Sequence, residues 1–214
     1  MTPLGDRHMS LQIVPLELNS QSLPSDISQY LAEASTRIDG YLAENPVLVR
    51  GFLPSSFVEV YRAFQFIRDN HLATGDRMCE WGSGFGVVAS LASINGFEAW
   101  GIEIQARLIE ASRELADDFA MDVEFVHGSF VPSGSDHLID QAFAEQEGDI
   151  SLEPHHDDAY ADMGFSVDEF DVIFCYPWPN DIPLVERIFS QFASTGALLM
   201  TYRERGQVLL QRKG

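Results

Sequence analysis

Residues 77–130 carry the pattern that most restricts how this chain can fold. It begins Arg77-Met78-Cys79-Glu80-Trp81-Gly82-Ser83-Gly84-Phe85-Gly86-Val87-Val88, and Trp100-Gly101-Ile102-Glu103-Ile104 follows one strand–helix–strand unit later. A short apolar strand running into glycines at alternate positions can turn sharply and bring backbone N–H groups up to a ligand. Glycine suits this turn because it accepts positive φ and has no Cβ to obstruct approach. Glu103 lies twenty-one residues after Gly82, at the expected end of the next strand. A carboxylate there can accept hydrogen bonds from both hydroxyls of a ribose. A glycine pattern alone could answer only the steric needs of a tight strand-to-helix turn. With a strand before it, a helix after it and a spaced acid, it predicts a nucleoside cofactor. The NAD fingerprint Gly-x-Gly-x-x-Gly would place its last glycine one residue beyond Gly86.

The alternation continues along the chain. Strands are expected at Met78–Trp81, Glu98–Glu103, Val123–Val126, Asp171–Cys175 and Ala197–Thr201, with helices at Val87–Asn95, Ala106–Phe119 and Leu184–Phe192. Asp171–Cys175 shows no polar alternation, the pattern of a strand covered on both faces. Alternating strands and helices imply a parallel sheet, and Arg205-Gly206 permits a turn into an antiparallel strand at Val208–Leu210. Upstream, Ile27, Tyr30, Leu31, Ala34, Ile38 and Leu42 keep helical spacing until Asn45-Pro46. Phe57, Val60, Tyr61, Phe64, Ile67 and Leu72 form a second stripe after Pro54-Ser55-Ser56, which offers an N-cap. Residues 1–24 read as an arm or a short edge strand. The expected organisation is an N-terminal arm and helix over 1–50 and an α/β domain over 51–214. An acidic insertion at 132–170 interrupts that domain; it is too long for an ordinary loop. Short helices fit Ile139–Ala144 and Ala159–Met163, while its weak hydrophobicity predicts a mobile cover over the ligand side.

The net charge is −20, Lys213 is the only lysine, and no Lys or Arg occurs from Glu114 to Glu186. Polyanion binding relies on cationic contacts to phosphate, so duplex nucleic acid is not an expected partner. Such a surface is a solvated, solubilising face, or one that attracts a cationic substrate. No apolar run reaches about 18 residues, and Met1–His8 lacks a basic-then-apolar leader, so a cytoplasmic protein without a membrane span is expected. Cys79 and Cys175 fit buried free thiols. His155-His156-Asp157-Asp158, with His137, sets adjacent histidines pointing apart, so no metal site is expected.

The spelling Glu80-x-Gly82-x-Gly84-x-Gly86 resembles the first motif of class I, seven-strand S-adenosylmethionine-dependent methyltransferases. Phe52-Leu53-Pro54-Ser55 is similar to the Pro-Ser/Thr element preceding that motif in seven-strand lysine methyltransferases and their short bacterial relatives. Those proteins also favour Gly-Ser-Gly, as at Gly82-Ser83-Gly84. The likeness covers Phe52–Phe130 and Phe170–Thr201. It implies an α/β, Rossmann-like sandwich with a mostly parallel sheet, an antiparallel C-terminal strand and a helical N-terminal extension. The chain ends soon after the fifth strand of this pattern, so the family's final helix and strand pair is expected to be shortened.

The resemblance also implies S-adenosyl-L-methionine as cofactor, along Gly82, Ser83, Gly84 and Gly86, with Glu103 on the ribose. Glu80 would hold the loop or reach the cofactor ammonium through water, and Pro54 and Ser55 would close over the methionine end. Gln105 and Leu108 would flank the adenine. Ser129 stands where the family places an acid against the adenine amino group, and His127 beside it reads as a packed histidine. Tyr176-Pro177-Trp178-Pro179 resembles the Asn/Asp-Pro-Pro-aromatic motif of amino-methylating members, with Tyr176 in place of the Asn/Asp. Carbonyls of Tyr176 and Pro177, with stacking on Trp178, would hold the acceptor. The implied activity is methyl transfer to a small-molecule or protein substrate, with an amine nitrogen on a cationic group (a protein lysine or a small amine) as the expected acceptor. The alternatives are a cofactor-sensing or degenerate methyltransferase-fold binding protein and an NAD-type oxidoreductase, which the glycine spacing disfavours.

Overall fold

The computed structural model describes residues 11–45, 56–145, 159–203 and 207–214. Its strands are β1 (Leu11–Val14), β2 (Arg77–Trp81), β3 (Glu98–Glu103), β4 (Val123–His127), β5 (Val172–Cys175), β6 (Leu198–Arg203) and β7 (Gln207–Lys213). They form one seven-stranded sheet in the order β1-β7-β6-β5-β2-β3-β4. The helices are α1 (Ser25–Glu44), α2 (Phe57–Asp69), α3 (Val87–Ile94), α4 (Ala106–Asp118), α5 (Asp136–Glu145), α6 (Ala159–Met163) and α7 (Ile182–Phe192). None of the described helices is long and apolar enough to cross a membrane.

The composition of β5 explains the layering. All four of its residues are buried, which requires cover on both faces. Val172 and Phe174 join the core formed with α1, α2, α3 and α4. Ile173 and Cys175 join the core formed with α5, α6 and α7. Strands β2 to β6 are mutually parallel, as the βα alternation predicts. Strand β7 runs antiparallel to β6.

The outer edge beyond β7 comes from the other end of the chain. Strand β1 pairs antiparallel with β7, from Leu11 opposite Lys213 to Val14 opposite Leu210. It is the short edge strand allowed by the sequence, and it lies on the outer side of β7. The amphipathic α1 packs over the glycine-loop side, with Tyr41 edge-on to Phe85 at 5.4 Å and Tyr30 edge-on to Phe119 at 5.1 Å.

The described parts of the acidic insertion pack against the sheet through a few apolar residues. Leu138, Ile139 and Ala142 of α5 are buried in the core shared with α7. Tyr160 Oη donates to the Phe130 carbonyl at 2.8 Å. Trp100 meets Phe165 and Phe170 edge-on at 5.1 and 5.6 Å, and the Arg77 guanidinium lies 4.6 Å above the Phe165 ring. Mean hydropathy hid this packing because a few apolar residues, each on the sheet-facing side, suffice to anchor an otherwise acidic segment. The stretch 146–158, with His155-His156-Asp157-Asp158, lies outside the described residues, as do Pro54 and Ser55. Ser56 occupies the N-cap position of α2 without a side-chain capping bond.

Candidate active site

Strands β3 and β4 lie on one side of β2, and β5 and β6 on the other. Chain direction across the sheet therefore reverses between β2 and β5. In open parallel sheets, ligands bind beyond the carboxyl ends of the strands at such a reversal. Two loops leave those ends: Gly82–Gly86 after β2 and Tyr176–Pro179 after β5.

The first loop is built from left-handed residues. Gly82, Gly84 and Gly86 have φ of 73°, 53° and 68°, a region costly to residues with a Cβ. The amides of Gly82 and Ser83 both donate to the Ile102 carbonyl at 2.9 Å, which lays the loop over β3. A Cβ on Gly82 would meet nothing within 4 Å, so this glycine opens onto free space. A Cβ on Gly86 would stand 2.2 Å from the Phe125 ring. Gly101, which the sequence reading did not single out, has a related steric role. A Cβ there would come within 2.8 Å of Ser83 Cβ, so β3 needs glycine for the loop to rest on it.

Glu103 closes the arrangement. Its Oε2 accepts from Gly84 N–H and its Oε1 from Gln105 N–H, each at 2.9 Å. Each carboxylate oxygen retains a second lone pair, so the group can still accept from two vicinal hydroxyls. Beside it, Ile104 is 43% exposed and presents an apolar surface fit to cover a planar base. Leu108 corrects the adenine-flanking expectation: it is 4% exposed, because the first turn of α4 directs it into the core. Ser129 is buried, and its Oγ accepts from Val131 N–H at 3.1 Å, leaving its own O–H to donate. His127 corrects the expectation of a packed ring: it is exposed at the end of β4, with Nε2 donating to the Ile104 carbonyl at 2.8 Å.

Glu80 serves the loop from below. Gly86 is the N-cap of α3 and has no side chain to cap it. Glu80 Oε2 takes that part, accepting from Ala89 N–H at 2.8 Å. Burial pushes the Glu80 carboxyl well above its ordinary value of 4.5; the Ala89 bond pulls it down and nearby Glu103 raises it further. A carboxyl raised in the folded state contributes stability that is full below about pH 4.5 and is lost as pH rises through its folded value. Glu80→Gln keeps an acceptor for Ala89 and removes the charge. Urea unfolding should therefore show this variant gaining on the wild type between pH 5 and pH 8; parallel pH profiles would contradict this account.

Among the described residues, two buried polar atoms next to the loop have no hydrogen-bond partner, Trp81 Nε1 and Ser83 Oγ. Unpaired buried donors are uncommon, because a polar atom removed from water without a partner carries its full desolvation cost. The Trp81 ring stacks on Phe130 with centroids 5.1 Å apart and planes 7° from parallel. The free space at Gly82, these orphan atoms and the spare lone pairs of Glu103 fit a nucleoside cofactor with polar termini.

At the second loop, Tyr176 is half-buried and meets Tyr202 of β6 edge-on at 5.1 Å. Pro177 is buried and Trp178 half-buried. The Trp178 carbonyl accepts from the amides of Asp181 and Ile182 at 2.9 and 3.2 Å, so the loop runs directly into α7. The structure thus brings Gly82–Gly86, Glu103, Ser129 and Tyr176–Trp178 to one end of the sheet, with Glu80 beneath. Ile104, Tyr202 and Arg203 join them. For Ile104 a sequence signal existed, an apolar residue directly after a strand-ending acid.

No protein-family profile and no curated protein matches this chain. Solved structures do. An RNA methyltransferase from Salinibacter ruber in complex with S-adenosyl-L-homocysteine is 17% identical, over 75% of this chain and 92% of that one, with a TM-score of 0.48. An O-methyltransferase from Bacillus cereus is 15% identical, over 85% of this chain and 67% of that one, also with a TM-score of 0.48. At such distances the site has to be read from this chain's own residues. Five parallel strands whose order reverses at β2, an antiparallel β7 and two helical layers make the architecture a Rossmann-like α/β sandwich, the fold that resemblance to class I methyltransferases implies.

Proposed function

We propose that this protein transfers a methyl group from S-adenosylmethionine to an amine nitrogen on a protein lysine or a small molecule. The observation that carries the reading is the left-handed glycine loop at the sheet's reversal point, tied through Gly84 N–H to the buried acid Glu103. When bound, the sulfonium cofactor supplies an electrophilic methyl group for in-line displacement, which needs no strong base if the amine arrives neutral.

The chain's own residues then bind, orient and exclude water. Gly82 leaves room for the cofactor, Glu103 accepts from its ribose, and Ile104 covers one face of the base. Gly84, Gly86 and Ser83 shape the loop, Ser129 borders the base, and Glu80 keeps the loop on α3. Pro54 and Ser55 belong to the methionine end by resemblance alone. Tyr176, Pro177 and Trp178 orient the acceptor, with Trp178 stacking on a cationic or planar group. The net charge of −20 raises the local concentration of cations, an effect that weakens as salt rises. A nucleic-acid acceptor would meet that same charge as repulsion.

Titration calorimetry with S-adenosylmethionine, S-adenosylhomocysteine and NAD tests the cofactor, and labelled-methyl transfer into a cell lysate tests the reaction. Tight binding with no transfer would favour the cofactor-sensing reading. Trp178→Ala should lower transfer roughly tenfold, the loss expected for a desolvated cation–π contact, with cofactor affinity unchanged. Label found only in an ester or ether, or full transfer by Trp178→Ala, would sink the amine assignment.

A further inference from the structure

We propose that Arg203 recognises the acceptor, and that the acceptor carries an anionic group, a carboxylate or a phosphate, close to its methyl-accepting atom. This rests on the methyltransferase reading above and narrows its substrate class to zwitterionic small amines.

The placement follows from strand register. Cys175 of β5 is paired with Thr201 of β6. One residue further, Tyr176 and Tyr202 meet edge-on. One more step brings Arg203, the last residue of β6, level with Pro177 in the acceptor loop. Arg203 therefore stands at the ligand-binding end of the sheet, next to the loop that would present the nitrogen.

Its guanidinium is held but not used up. Nε donates to Thr201 Oγ1 at 3.1 Å, and Nη2 lies 2.7 Å from Glu186 Oε1 on α7. Thr201 is fully buried, so it gives a rigid anchor. These contacts leave the Nη1 side of the fork with donors to spare. Arg68 contrasts with it: all three of its nitrogens are engaged, on Asn95 O, Gly96 O and Asp76, fastening α2 to the base of the sheet. Arg212 likewise places both Nη atoms on carbonyls, of Gly196 and Leu72.

A purely structural role for Arg203 explains little. The side chains of Arg203 and Glu186 are 22% and 32% exposed, and ion pairs near the surface stabilise proteins only marginally. A guanidinium fixed in plane with a free edge is instead pre-organised for two-point binding of a carboxylate or phosphate. The surroundings decide what kind of anion-bearing molecule this can be. The stretch from Glu114 to Glu186 has no Lys or Arg, and Glu186 itself flanks the guanidinium. A simple anion would be repelled there, whereas an amine bearing its own anionic group brings a cation for the acids and an anion for Arg203.

The test is labelled-methyl transfer from S-adenosylmethionine into the small-molecule fraction of a lysate by the full chain, Arg203→Gln and Glu186→Gln. Products are run on an anion exchanger at high pH, with and without phosphatase. The labelled product should be retained, and loss of retention after phosphatase would identify phosphate rather than carboxylate. Arg203→Gln should raise the acceptor KM roughly tenfold or more with cofactor Kd unchanged, which also shows that the variant folds. Glu186→Gln keeps an oxygen for Nη2 and removes a negative neighbour, so its acceptor KM should be equal or lower. A product with no anionic group, or equal impairment of both variants, overturns the proposal. Absence of cofactor binding in calorimetry is the separate result that would defeat the methyltransferase reading itself.

Discussion

Gly86→Ala should destabilise the fold severely, while Gly82→Ala should fold and fail at the cofactor. Both positions are left-handed, with φ of 68° and 73°, so each alanine costs about 1–2 kcal/mol in backbone energy. The surroundings separate them. The new methyl at Gly86 would stand 2.2 Å from Phe125 Cε1 and Cζ and 3.1 Å from Ser112 Cβ, inside a packed core. Overpacking of this kind costs about 1–3 kcal/mol more, a large share of the marginal stability of a domain. At Gly82 the methyl would point into open space where the cofactor is proposed to lie. Urea unfolding should show the larger loss for Gly86→Ala, and calorimetry should show at least a tenfold weaker cofactor affinity for Gly82→Ala. Equal stabilities, or wild-type affinity in Gly82→Ala, would contradict the assignment of the two glycines.

The second large effect is expected at Glu103. Its carboxylate accepts from Gly84 N–H and Gln105 N–H, and by the proposal it also accepts from the ribose hydroxyls. Hydrogen bonds to a charged group are worth about 1.5–3 kcal/mol, so losing two corresponds to a Kd increase on the order of a hundredfold or more. Glu103→Ala should show that loss for both S-adenosylmethionine and S-adenosylhomocysteine, because the ribose is common to the two. Glu103→Gln, which keeps one oxygen acceptor but points an amide donor at the loop, should fall between. A variant affinity that matches the wild type for both ligands would remove Glu103 from the site.

The features legible in the sequence were those whose physics is local. The Glu98–Glu103 strand and the Ala159–Met163 helix occupy the predicted residues, because period and flanking breakers act within a few residues of each other. The glycine loop was legible for the same reason: its turn, its helix start and its acid are one continuous unit. Side-chain direction within a known helix was less secure. Leu108 and Ile104 both lie near Glu103, yet only placement of α4 on the sheet sends Leu108 into the core and leaves Ile104 exposed.

The remaining features depend on residues that are distant in the chain, and local pattern holds no information about them. Strand β1 has only four residues and a weak pattern; it is a strand because β7, some two hundred residues on, offers an unpaired edge. The acidic insertion reads as polar, but Trp100 and Arg77 on the sheet give Phe165 and Phe170 a place to pack. Gly101 looks interchangeable until the loop after β2 is laid across it. Arg203 resembles any surface arginine until the register of β5 and β6 sets it beside Pro177. By itself the sequence determined the βα alternation, the glycine loop and the acid that follows it. The tertiary structure alone decided which side chains face one another across that loop, since a pleated sheet brings together residues that no sequence window contains.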